Sequence, residues 1–221
     1  METFLRVCIF LAMSRYGIRP TFFTVIALIV AGGPPTFAQT PQDWAHCLGG
    51  DLSTPDVPIE GCTAAIKTGE QVLRRLAAAY NNRGVAYRVK ANYGQAIDDF
   101  NEAIRLVPDN ANAFNNRGVA YRNMGDLDRA VADYDQAIRI KPDYVAAFYN
   151  RGLALTDKRE YAKAISDFTT VLRVDPKNPT VLYRRGTAYL SSGEIEAGNA
   201  DLAEAKAIKP EIAEDIARGG P

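Results

Sequence analysis

The sequence predicts an all-α fold, a solenoid of helix–turn–helix units, and three observations carry the prediction. The stretch Asn115-Asn116-Arg117-Gly118-Val119-Ala120-Tyr121 recurs in altered form around Gly84, Gly152 and Gly186, so that the four glycines stand 34 residues apart. Pro108, Pro142, Pro176 and Pro210 keep the same interval. Between each glycine and its proline lie a small residue and large apolar residues at fixed offsets. A self-similar period of this length marks stacked supersecondary units that share a continuous core.

The units are placed at 77–110, 111–144, 145–178 and 179–212. The first reads Tyr80, Gly84, Tyr87, Ala96, Phe100, Ala103, Pro108, and the second Phe114, Gly118, Tyr121, Ala130, Tyr134, Ala137, Pro142. The third reads Phe148, Gly152, Leu155, Ala164, Phe168, Val171, Pro176, and the fourth Leu182, Gly186, Tyr189, Gly198, Leu202, Ala205, Pro210. The small residues let two helices approach to about 8–10 Å. Glycine inside a helix costs roughly 1 kcal/mol against alanine, so its repetition at one phase points to packing. Each proline lacks an N–H and closes its unit. Gly125-Asp126 and Ser192-Gly193 read as turns between paired helices, whereas Lys90-Ala91-Asn92 and Lys158-Arg159-Glu160 are merely polar. These units resemble tetratricopeptide repeats, over 77–210 without an insertion, with Gly198 and Leu202 the departures in the fourth. The resemblance implies a right-handed α-solenoid whose first helices line a concave groove, and a role in protein–protein interaction.

The front of the chain has another character. Phe22–Ala31 is an apolar run broken only by Thr24, too short for a membrane span of about 20 residues and of the length of a signal-peptide core. Arg15 and Arg19 precede it, Gly32-Gly33-Pro34-Pro35 ends it, and Thr36-Phe37-Ala38 supplies a cleavage site. Residues 1–38 are therefore expected to be a secretory signal cleaved after Ala38, with an uncleaved anchor as the alternative. Translation starting at Met13 would give a compact signal of ordinary form. The whole chain has 26 basic and 26 acidic residues, and loss of Arg6, Arg15, Arg19 and Glu2 leaves it near neutral. Nothing in that balance favours nucleic acid or an anionic membrane.

Residues 39–76 read as a linker and a degenerate helical cap, as terminal repeats are atypical for want of a neighbour. Helices are expected around 43–48 and 59–66, with a loop between. The exported chain keeps two cysteines, Cys47 and Cys62, an even pair that reads as a disulfide in an oxidising compartment. Two cysteines with His46 fall short of a four-ligand zinc site. At the far end 210–217 reads as a short helix within the closing segment, 213–221 being the tail.

No catalytic site, cofactor or metal site is expected. The single histidine nearly excludes an acid–base triad, and no nucleophile elbow or phosphate loop occurs. Arg83, Arg117, Arg151 and Arg185 each precede an aspartate (Asp99, Asp133, Asp167, Asp201) by one interval, which reads as a scaffold of exposed interhelical ion pairs worth about 0–1 kcal/mol each. Some tetratricopeptide domains grip a terminal carboxylate with lysine, asparagine and arginine. Asn150 and Arg184 match that pattern, but Asn115, Val119 and Thr180 do not, so it is not carried over. Helical spacing puts Asn81, Val85 and Arg88 on one stripe, repeated by Asn115, Val119 and Arg122, then by Tyr149 and Leu153, then by Tyr183, Thr187 and Leu190. The reading is an exported, periplasmic or secreted bacterial scaffold that binds a protein or peptide with an acidic part and an apolar part. The alternative is a non-catalytic accessory subunit of a cell-envelope complex. Its oligomeric state is not legible.

Overall fold

A computed structural model describes Cys47, residues 54–67 and residues 73–218. The expected signal, its cleavage site, Met13, His46 and the helix expected around 43–48, Cys47 excepted, lie outside the described residues. Among the described residues every regular element is a helix: α1 (Asp56–Lys67), α2 (Leu73–Val89), α3 (Tyr93–Leu106), α4 (Ala111–Asn123), α5 (Leu127–Ile140), α6 (Val145–Asp157), α7 (Tyr161–Val174), α8 (Pro179–Ser192), α9 (Ile195–Ile208) and α10 (Ile212–Ala217). No described helix is long and apolar enough to cross a membrane.

Helices α2–α3, α4–α5, α6–α7 and α8–α9 form the four pairs, and each second helix packs on the first helix of the next unit. Neighbouring first helices also touch (α2 on α4, α4 on α6, α6 on α8), and no second helix packs comparably on the next second helix. First helices therefore lie closer together than second helices, so the array curves with α2, α4, α6 and α8 on its inner side. The first unit starts earlier than its period implies: α2 runs 17 residues from Leu73, which gives α1 a longer surface to rest on.

The glycines act through close approach. A methyl group built on Gly84, Gly118 or Gly152 would stand 2.7 Å from a ring carbon of Phe100, Tyr134 or Phe168. The fourth unit reaches the same closeness by another exchange. Leu202 faces Gly186, and a methyl on Gly198 would meet Leu190 at 2.7 Å. Leu190 thus spends its side chain on the room that Gly198 leaves, which removes it from the inner stripe where helical spacing alone put it.

The turns inside the units are more alike than their sequences. Gly125 and Gly193 have φ of 81° and 92°, and Ala91 and Arg159, at the same place in the first and third units, have φ of 58° and 62°. The merely polar turns adopt the left-handed conformation that glycine supplies elsewhere. Asn110, Asp126 and Asn178 cap α4, α5 and α8 through their side chains, each answering one of the free N–H groups at a helix start.

Both ends of the array are covered. At the front, Cys47 and Cys62 form a disulfide, with Cα atoms 4.5 Å apart, and both are buried with Ala79 of α2. At the back, α10 packs on α8, and Ile212 is 1% exposed within the cluster of Leu155, Phe168, Val181 and Leu182. The closing segment is a short amphipathic helix, so 213–217 are part of the fold.

Candidate functional site

Two ladders of side chains run along the array, one through all four units and one through the first three, and they decide which residues of the inner side are free. The first joins each unit internally. Arg83, Arg117, Arg151 and Arg185 bond Asp99, Asp133, Asp167 and Asp201 through Nε and Nη2, over 2.6–2.9 Å. These aspartates are buried, 4–7% exposed, so the expectation of exposed pairs is corrected. The cause is the fixed interval: it sets a planar guanidinium facing a carboxylate inside the helix pair, where both oxygens are taken. Burial pushes the Asp99 and Asp167 carboxyls up, against the hydrogen bonds of Arg83 and Arg151. The bond to aspartate pushes each arginine up in turn.

The arginines also tie units together. Nη1 of Arg117 bonds Asn101 at 2.7 Å, Nη1 of Arg151 bonds Asp135 at 2.6 Å, and Nη1 of Arg185 bonds Thr169 at 3.1 Å. Each partner lies on the second helix of the preceding unit. Arg83 makes the corresponding bond to Thr63 of α1, at 3.2 Å. So α1 stands as the second helix of a shortened unit ahead of the first.

The second ladder lies on the inner side and is made of amides. Asn116 donates to Asn81 at 3.0 Å and Asn150 donates to Asn115 at 2.9 Å. Asn81 also donates to Asn82 at 3.2 Å, and Asn82 donates to the Cys47 carbonyl at 2.8 Å. The amide ladder stops at the fourth unit, where Arg184 stands in the place of the donor Asn150 and Tyr149 in the place of the acceptor Asn115; among the described residues the buried Nε of Arg184 has no hydrogen-bond partner.

The predicted stripe is therefore divided. Asn115 is 5% exposed and its oxygen is taken by Asn150, which makes it a structural joint; as a freely presented contact it is corrected. Arg122 bonds Asp157 of the next unit at 2.7 Å, so its charge is already answered. Asn81 is half-buried and shares its amide with its neighbours. Val85 and Val119 are half-buried on the Phe100 and Tyr134 clusters. Tyr149, Leu153 and Tyr183 are half-buried on the core around Phe168, with the Tyr149 and Phe168 ring centres 6.1 Å apart. The Thr187 hydroxyl bonds the Arg184 carbonyl within its own helix. Arg88 is half-buried, its Nε has no partner, and burial lowers its pKa.

One residue of this side was not legible as such. Tyr134 fills the place that Phe100 and Phe168 fill in their units, and its ring is fully buried. Its hydroxyl is buried without a hydrogen-bond partner. The sequence did carry a signal, one hydroxyl in a row of phenylalanines. Among the described residues no cluster of histidine, cysteine, aspartate and glutamate is fit to hold a metal.

The family model described as tetratricopeptide repeat matches residues 111–144 and 145–178, and one described as TPR repeat matches 90–125. Among solved structures the chain is similar to MamA, at 19% identity and a TM-score of 0.65, over 79% of this chain and 98% of that one. It is similar to YrrB, described as a TPR protein with an unusual peptide-binding site, at 22% identity and a TM-score of 0.60, over 72% and 80% of the two chains. A MamA fragment from Desulfovibrio magneticus RS-1 gives 24% identity and a TM-score of 0.59, over 61% and 76%. These are likenesses of fold. No curated protein matches the chain.

Proposed function

Because this chain is a tetratricopeptide repeat protein, we propose that it is an exported scaffold that binds an extended peptide segment of a protein partner along α2, α4, α6 and α8. Four stacked pairs with a joined inner row serve protein–protein interaction, and the observation that carries the finer reading is the division of that row. The inner side is polar at α2 and α4, where the half-buried Asn81 amide and the Arg88 guanidinium can still donate to a peptide backbone. It is apolar and aromatic at α6 and α8, where Tyr149, Leu153 and Tyr183 offer rigid anchors of the kind that dominate interfaces. Export is supported by the signal-like front of the chain and by a disulfide, which persists in oxidising compartments. A periplasmic or secreted location follows from the same reading, as does a protein free of the membrane after cleavage. The role is non-catalytic.

The test is a double substitution, Arg88→Glu with Tyr183→Ser, which alters both halves of the row and leaves the arginine–aspartate ladder alone. Crosslinking in cells identifies what the wild-type protein captures. The expected result is loss of that capture with helicity and Tm near wild type. Capture retained by the folded variant would place binding on the outer side or the cap.

A further inference from the structure

We propose that the inner row carries a seat for one carboxylate where the first three units meet, formed by the Tyr134 hydroxyl and the guanidinium groups of Arg88 and Arg122. The inference rests on the groove reading and deepens it by naming the chemistry of one ligand contact. It uses residues other than the Asn150 and Arg184 positions that partly match a known clamp.

Packing does not require the Tyr134 hydroxyl. Phe100, Tyr134 and Phe168 press on the glycines of their units at the same 2.7 Å from a built methyl, and two of the three do so without an oxygen. The Tyr134 ring is 0% exposed, and its hydroxyl-bearing carbon lies against Gly118 of the inner helix α4. The charges that act on its hydroxyl are those of Arg122, Asp133, Arg88 and Asp157. Three of these stand in the last turns of the inner helices α2, α4 and α6. Burial pushes the phenol far up, so it remains a neutral donor at any physiological pH. Among the described residues no group accepts its proton.

Arg88 supplies the second half. Its Nε is buried and unpartnered, and among the described residues no carboxylate bonds its guanidinium. A buried donor without an acceptor and a desolvated guanidinium without a counter-ion require the same thing, a group that only accepts and carries negative charge. A carboxylate fits, with one oxygen for the phenol and one for a guanidinium. A doubly charged phosphate fits less well, because the Asp133 and Asp157 charges also act on the hydroxyl.

Asp157 has a part in this arrangement. It bonds Arg122 across the join of α4 and α6, and the two side chains are 43% and 30% exposed. Both can swing outward without disturbing the core. An incoming carboxylate would exchange with Asp157 on Arg122, uncover the phenol and gain Arg88. Asp157 is thus an internal competitor that keeps the seat closed to uncharged peptides.

The carboxylate can come from an acidic side chain or from a chain terminus, and two probes separate them. One is an end-blocked Gly-Ser peptide carrying a single glutamate. The other carries glutamine in its place and a free C-terminal carboxylate, and an end-blocked glutamine peptide is the blank. Each is titrated to millimolar concentration against the isotope-labelled protein by NMR chemical shift. The expected result is binding of at least one acidic probe and none of the blank. Tyr134→Phe should weaken it about ten-fold or more, as befits a hydrogen bond to a charged group. Arg88→Gln should weaken it similarly, and Asp157→Asn should strengthen it. Phenylalanine already fills this place in two units, so Tyr134→Phe keeps the fold, and its melting curve verifies that. Absence of binding by both acidic probes, or equal binding by wild type and Tyr134→Phe, overturns the seat. If the seat fails while Arg88→Glu with Tyr183→Ser still abolishes partner capture, the groove reading stands without it.

Discussion

The side-chain amide of Asn82 donates a 2.8 Å hydrogen bond to the backbone carbonyl of Cys47, from the same helical position at which Asn116 bonds Asn81 and Asn150 bonds Asn115. Together with the Arg83 bond to Thr63, it extends both ladders into the cap. The disulfide then links the two parts of that shortened unit, since Cys47 stands where a first helix belongs and Cys62 lies on α1.

Replacement of Asn82 by alanine should therefore loosen the cap and little else. The bond is part-buried, and its loss should cost about 1 kcal/mol. In a repeat array each unit contacts only its neighbours, so hydrogen exchange should quicken in α1 and stay unchanged in α6 and α7. Equal exchange in α1 of variant and wild type would show that the ladder stops at the first unit.

Removal of the disulfide acts on the same unit through the unfolded chain. Cys47 and Cys62 are 15 residues apart, and a loop of that length corresponds to about 3 kcal/mol on the chain-entropy account. The double variant Cys47→Ser, Cys62→Ser should lose α1 first, as a separate low-temperature transition in circular dichroism. Thiol titration of wild-type protein isolated without reductant should find neither sulfur free.

The left-handed turns give a prediction of opposite sign. Ala91 and Arg159 hold φ of 58° and 62°, a conformation that costs an L-residue roughly 1–2 kcal/mol. Ala91→Gly and Arg159→Gly should each stabilise the protein by about 0.5–1 kcal/mol after glycine's own entropy cost. Gly193→Ala should destabilise it. Urea denaturation measures all three, and a loss of stability in Ala91→Gly would mean that the turn is held by its neighbours without strain.

The buried ladder predicts a pH dependence. In Arg151→Gln the Asp167 carboxylate keeps its burial and loses the bond that holds it ionised, so its folded pKa rises further above the unfolded value. A group raised in this way is least costly below its unfolded pKa and most costly above its folded one. The variant should lose about 3–5 kcal/mol at neutral pH, as for a broken buried pair, and much of the difference from wild type should vanish toward pH 4. A Tm difference independent of pH would show that the aspartate is solvated in the variant.

The sequence by itself determined the architecture, because a solenoid is a local structure repeated. The 34-residue interval, the glycine under each ring and the closing proline are short-range requirements, and each can be read from one unit. It also brought the cysteines together as a pair, by count and by the expected oxidising compartment. The candidate site was legible only in outline. Helical spacing placed Asn115, Arg122 and Leu190 on an inner stripe, but the neighbouring unit decided what was left of them. Asn150 takes the amide of Asn115, Asp157 takes the charge of Arg122, and Gly198 opens the room that Leu190 fills. The burial of the four aspartates and the unpartnered hydroxyl of Tyr134 arise in the same way. Periodicity fixes which face a side chain leaves from, whereas the stacking of one unit on the next fixes which donors, charges and volumes it meets there.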